Sequence, residues 1–356
     1  MSISRQDAIN DALERLSDLG FVMEPFFSEH GPMVAEALSA LGQNDAVAGW
    51  VNHYRGERRH LPMPPAREPI DGTKPEKWRA ALGVYGRSTD WLNYFHREFE
   101  DRPWREVTAR WLPVLLPGYI GGLTHGLIRT AHALRSFPED GSPTTLQLDE
   151  LARGMAYWAA SFRQIAGDVS QHGDLALDRA LQELPRLEPR MRSRQMTEAA
   201  GAAMFTELPG FASAIQSLAM SGDVGEAISA HTATFARVLL AHSEMHPVPL
   251  IHTITAPAVT RDLLPYIPPD ACPNLYRWLW QGSAAVLALF ATALPRETQP
   301  NLSPPRLELE ELIGRAVESG DAHTIKLTAA CLREDRIHPD PVYRAVLEAV
   351  IERTGA

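Results

Sequence analysis

The sequence predicts an all-α protein, a single large irregular helical bundle with a buried histidine-rich site, and three observations carry that reading. Apolar residues recur at spacings of three and four through nearly every segment. No stretch alternates apolar and polar residues as a half-buried strand would. Helix-starting residues such as Ser4, Asn44 and Asp321 precede these segments, and Gly20 and Gly42 close two of them. The segments differ in length and show no fixed repeat, which favours one irregular domain over 1–356 above a solenoid of helical pairs.

Taken in order, Ser4 and Asp7 form a capping pair ahead of Ile9, Leu13 and Leu16. Residues 21–27 are an apolar connector to Ser28-Glu29-His30-Gly31-Pro32-Met33. There Pro32 suits the first turn of a helix carrying Val34, Leu38 and Leu41. His30 then stands at a helix start, where the dipole disfavours the imidazolium and favours a neutral ring able to act as a ligand. Asn44 is expected to cap a third helix with Val47, Trp50, Val51 and Tyr54. Residues 61–75 read as a proline-rich covering loop. Trp91, Leu92, Phe95 and Phe99 make an aromatic stripe at core spacing, and Pro103 opens a helix with Val107, Trp111 and Leu115.

The run from Pro117 to His132 is rich in small residues that let helices approach closely. It places His125, Arg129 and His132 on one face, a costly set to bury without polar partners. Further helices are expected over 148–165, over 224–246 with His231, Phe235 and His242, and after Pro249 with His252. Residues 199–220 read as a helix pair broken at Pro209-Gly210. The apolar run 274–294 reads as a buried helix because Arg277 and Gln281 interrupt it. A proline-rich linker over 295–305 precedes helices over 307–317, after Asp321, and over 341–353.

Composition excludes several functions. With 45% hydrophobic and 22% charged residues the 356-residue chain can bury a large core. A net charge of -10, with only a short cluster at Arg55, Arg58 and Arg59, argues against nucleic acid as a partner. Cys272 and Cys331 cannot make a disulfide framework and are expected to be buried thiols in a reducing cytoplasm. Neither a signal peptide nor a bilayer-length apolar run is visible, so no membrane partner is expected. The chain has no G-x-G-x-x-G after a strand, no phosphate loop, no G-x-S-x-G elbow and no H-E-x-x-H helix.

What remains is a set of histidines in apolar settings: His30, His125, His132, His252 and His323. His53, His60, His96, His172 and His338 have polar neighbours and are expected at the surface. One apolar-set histidine is commonly a hydrogen-bonded core residue, whereas several on separate helices suit a metal such as iron, zinc, copper or nickel. Lys326 follows His323 by three residues and shares its helix face. In apolar sequence this lysine must snorkel, pair with a carboxylate such as Asp321 at the surface, or lose its charge. A neutral amine can take up carbon dioxide as a carbamate, whose oxygens bind metal as a carboxylate's do.

Together His30-Gly31-Pro32-Met33, His125-Gly126-Leu127-Ile128, His252-Thr253-Ile254-Thr255 and His323-Thr324-Ile325-Lys326 resemble the questin oxidase-like family, over nearly the whole chain. That family includes fungal enzymes that oxidatively open anthraquinone rings, and bacterial relatives. The resemblance implies a mononuclear iron site with His30, His125, His252, His323 and a carbamylated Lys326 as ligands. It further implies an oxidoreductase using Fe(II) and dioxygen on an aromatic polyketide or quinone-like substrate, with NADPH as reductant. The match does not require His132, which is then an orienting residue, a contact to substrate oxygen, or core. Arg129 either stabilises a phenolate or enolate or forms a structural salt bridge, and His246 is a spare ligand candidate. Two other readings stay open: a zinc-dependent hydrolase on the same residues, and a non-catalytic helical binding protein.

Overall fold

The computed structural model describes residues 3–57, 59–165, 167, 169–188, 208–219 and 222–354. Among them are sixteen α-helices and a single ribbon of two two-residue strands, so the chain is all-α. Contacts divide it into two compact units, residues 1–162 with 262–267, and residues 163–261 with 268–356.

The first unit holds α1 (Arg5–Leu16), α2 (Gly31–Ala40), α3 (Asn44–Glu57), α4 (Pro75–Ala81), α5 (Ser88–Asp101), α6 (Trp104–Leu115), α7 (His125–Ser136) and α8 (Thr145–Ala160). Ser4 caps α1 as its spacing predicts, accepting the Asp7 N–H at 3.1 Å. The connector after α1 departs from expectation by pairing Val22–Met23 (β1) with Phe27–Ser28 (β2) antiparallel, which carries the chain to His30. Asn44 is not a cap. It is the first residue of α3, and its side-chain amide donates to the Ile3 carbonyl.

Loop residues 61–74 are anchored on α5, where the buried Asp90 carboxylate accepts the N–H groups of Arg67 and Glu68. The aromatic stripe is core, with Trp91, Tyr94, Phe95 and Trp111 packed ring to ring. The closest helix packing in this unit joins α7 to α8. A Cβ on Gly126 would lie 2.5 Å from the Trp158 Cα, and one on Gly154 would lie 2.9 Å from the Thr130 Cα, so only glycine permits that approach. A full capping box at Thr144 and Gln147 starts α8 at Thr145, three residues before the helix expected over 148–165, and α8 ends at Ala160.

The second unit holds α9 (Leu177–Glu183), α10 (Phe211–Gln216), α11 (Val224–Ala241), α12 (Val248–Thr260), α13 (Cys272–Phe290), α14 (Leu309–Glu318), α15 (Ala322–Ile337) and α16 (Val342–Thr354). Helix α12 packs against α11, α13 and α15, and α15 against α16. Asp223 and Asp321 cap α11 and α15. The expected helix pair over 199–220 falls outside the described residues except at 208–219, where α10 follows Gly210. Helix α13 is buried along most of its length, and no helix among the described residues is long and apolar enough to cross a membrane. Cys331 is buried as expected, but Cys272 at the start of α13 is only half-buried.

Candidate metal centre

In the first unit two imidazoles meet. His30 occupies the N-cap position of α2, directly before Gly31 and Pro32. Its own N–H donates to the Tyr54 hydroxyl at 2.7 Å, and the next N–H, of Gly31, donates to the Glu29 carboxylate at 2.5 Å. Two side chains thus satisfy amides that a helix start leaves unpaired. His125 is the first residue of α7, and its Nδ1 donates to the Gly122 carbonyl at 2.6 Å. That bond places the proton on Nδ1 and leaves a lone pair on Nε2. The His125 Nε2 lies 2.7 Å from the His30 Nε2, with the rings 12° from parallel.

A buried ionic cluster backs this pair. Arg129, one turn along α7 from His125, donates from Nε and Nη2 to both Glu150 oxygens at 2.7 and 2.8 Å, and its Nη1 lies 3.4 Å from Glu29. Burial pushes the Glu29 carboxyl above the usual carboxylate range, against the pull of Arg129. For Arg129 itself burial favours the neutral form, but the Glu150 and Glu29 charges outweigh it and hold the guanidinium charged. His132 is turned to another partner, its Nδ1 2.7 Å from Glu36. Glu36 is buried too, yet Arg135, His132 and Arg5 overcome the desolvation and bring its pKa down to about 2.

In the second unit His252 on α12 and His323 on the first turn of α15 stand edge to face, ring centroids 5.4 Å apart. Asp321 fixes the start of α15 by accepting the Thr324 N–H and hydroxyl at 2.7 and 2.8 Å. Lys326 follows one turn after His323 and is 2% exposed, so the alternative of a surface pair with Asp321 does not hold. His246 is exposed at the start of α12, its Nδ1 accepting the Val248 N–H.

One histidine differs from its sequence reading, and another, on which that reading is silent, is buried in an ionic cluster. His60, expected at the surface, buries both ring nitrogens and packs edge-on against Tyr54, because the short β-bridge from Met23 draws it inward. His242 is buried beside Glu297, which also pairs with Arg186. The residues that sequence reasoning left out are mostly carboxylates: Glu29, Glu36 and Glu150. Glu36 carried a signal, as a lone charge within the apolar run Met33 to Leu38, while Glu150 and Tyr54 looked like ordinary amphipathic positions.

Residues 27–139 match the family model described as Questin oxidase-like. The matched stretch runs from β2 past α7 and contains His30, His125, Arg129 and His132, while His252, His323 and Lys326 lie beyond it. The match supports the resemblance to that family and suggests an oxidoreductase acting on a small molecule. No curated protein matches the chain.

Proposed function

We propose that the protein is a metal-dependent oxygenase of the questin oxidase type, taking dioxygen and a flat aromatic polyketide or quinone-like substrate at a mononuclear non-haem iron. The ligands in this proposal are His30, His125, His252, His323 and carbamylated Lys326. The observation that carries it is the pair of Nε2 atoms 2.7 Å apart, one with its tautomer fixed by Gly122. Donors about 2.0–2.1 Å from one ion and near a right angle to each other stand about 3 Å apart, so the pair fits two neighbouring ligands.

His252, His323 and Lys326 are the other donors that this reading names. His252 and His323 bring imidazoles from two packed helices, and Lys326 lies one turn from His323 in a buried position. An ammonium has no lone pair to offer. Loss of a proton and addition of carbon dioxide give an N-carboxylate and release a second proton, which turns the lysine into an oxygen donor. Histidine nitrogens with a carboxylate-like oxygen are a donor set suited to ferrous iron, whose open positions admit dioxygen. The protein's own part is to present His30, His125 and His323 at helix starts and to keep charge nearby compensated. Arg129 and His132 serve here by their bonds to Glu150, Glu29 and Glu36. NADPH as reductant would bind without the usual dinucleotide fingerprint or deliver electrons through a partner protein.

Metal analysis of anaerobically purified protein tests the proposal. The expected result is one iron per chain, lost in His125→Ala and in His252→Ala, with oxygen uptake on adding a phenolic quinone. Stoichiometric zinc with hydrolytic turnover, or no stoichiometric metal at all, overturns it.

A further inference from the structure

The chain approaches α7 through three consecutive left-handed residues: Gly122 at φ 58°, Leu123 at φ 50° and Thr124 at φ 69°. Glycine adopts this region freely. A leucine and a β-branched threonine do so against the clash of their Cβ with the backbone. Four other helices of this chain start without such strain, on the side chains of Ser4, Thr144, Asp223 and Asp321. Thr124 holds the corresponding position of α7, yet its side chain makes no capping bond to the helix. Ordinary helix initiation therefore does not account for the turn.

What the turn does deliver is the Gly122 carbonyl. It accepts two donors from one residue, the His125 backbone N–H at 3.2 Å and the His125 ring Nδ1–H at 2.6 Å. The turn is also braced from behind by α8. A Cβ on Gly121 would lie 2.3 Å from the Ser161 carbonyl oxygen, and one on Gly122 would lie 2.9 Å from the Tyr157 hydroxyl. A carbonyl held this way fixes both the ring plane and the tautomer of His125, and the unprotonated Nε2 then faces His30 at 2.7 Å.

We infer that the left-handed turn Gly122-Leu123-Thr124 is the positioning element for His125, its strain retained because it locks the ring with the Nε2 lone pair turned toward His30, in the tautomer that a metal ligand needs. The inference rests on the metal-centre reading above. Backbone strain kept at a site whose geometry matters is the pattern expected of preorganisation.

The test is Leu123→Gly in the full chain, since glycine relieves the strain and loosens the turn together. Co(II) is the probe, titrated anaerobically and followed by its visible ligand-field bands, with thermal unfolding of the metal-free protein measured alongside. The expected outcome is an unfolding temperature equal to or above that of the unsubstituted chain, together with about tenfold weaker Co(II) binding and altered bands. Unchanged Co(II) binding and bands overturn the inference, as does a loss of affinity that only accompanies a loss of stability. A second readout is independent of metal: ¹⁵N correlation spectra of the histidine rings should show His125 protonated at Nδ1 alone, and a tautomer mixture in Leu123→Gly. Protonation at Nε2 in the unsubstituted chain overturns the inference. If that chain takes up no Co(II), the metal-centre reading falls, while the tautomer spectra still decide what the turn does.

Discussion

His30 Nε2 and His125 Nε2 stand 2.7 Å apart although 95 positions separate them in sequence, and each residue sits at the start of a helix. Both helix dipoles present their positive ends here. A neutral pair at this distance has one ring donating to the other's lone pair. Because Nδ1 of His125 is already committed to Gly122, the donor in the metal-free chain is His30.

The Tyr54 hydroxyl holds His30 through its backbone N–H at 2.7 Å, in a buried setting between Trp50 and His60. Tyr54→Phe keeps the ring packing and removes the acceptor. Leaving that amide without a partner should cost about 1–3 kcal/mol in urea unfolding. Uptake of the proposed metal should fall with it, since the His30 N–H loses the bond that Tyr54 provides while the His30 carbonyl still accepts the Val34 N–H at 3.1 Å. Unfolding midpoints that coincide for the two proteins would show that the hydroxyl does not matter.

Arg129 and Glu150 form a two-bond pair with both residues almost fully buried. Removing one partner of such a pair leaves an uncompensated charge and typically costs about 3–5 kcal/mol. Glu150→Ala is expected at the lower end of that range, because Glu29 still faces Arg129 at 3.4 Å. The measurement is a double-mutant cycle with Arg129→Met. A single-mutant loss under about 1 kcal/mol would mean that Glu29 alone suffices to balance the guanidinium.

The helices and the histidine-bearing motifs were legible in the sequence because periodicity and position within a helix are local properties. Apolar spacing located α1, α2, α5 and α7, and His30, His125, His252 and His323 stood out as rings in apolar surroundings. The carboxylates that face Arg129 and His132 were not legible, since Glu150 and Glu36 come from other helices and nothing local links them to their partners. His60 was misread for the same reason, as its burial depends on a bridge to Met23 across 37 positions. The turn at 122–124 left no trace because leucine and threonine rarely adopt positive φ, and only Gly122 hinted at it.

Glu36 gives acid sensitivity a definite sign. Its folded pKa is about 2 against an ordinary 4.5, because Arg135, His132 and Arg5 together outweigh its burial. A depressed carboxylate stabilises the fold above its unfolded pKa and loses that contribution as pH falls toward the folded value. The window is thus about pH 4.5 down to about 2, and the contribution is about 3 kcal/mol at most. Glu36→Gln should lower stability at neutral pH and flatten the stability profile between pH 5 and pH 2. Profiles that remain parallel across that window would remove Glu36 from the account of acid unfolding.

His231 carries the opposite kind of tension. It is fully buried on α11, stacked on Phe235 at 4.3 Å and edge-on to Tyr276 and Trp280, and neither ring nitrogen meets a hydrogen-bond partner among the described residues. Burial brings its pKa down to about 3. The unfolded chain takes up a proton here as pH drops below about 6.5, while the folded chain resists until about 3, so stability falls through that window. At pH 4 the difference amounts to about 3 kcal/mol. His231→Phe removes both unpaired nitrogens and keeps a ring against Phe235. The variant should match or exceed the unsubstituted chain in stability at pH 7 and exceed it by about 3 kcal/mol at pH 4. If the two proteins lose stability in parallel between pH 6.5 and pH 4, the His231 ring is being protonated in the folded state, and its burial in an aromatic box is not what sets its charge.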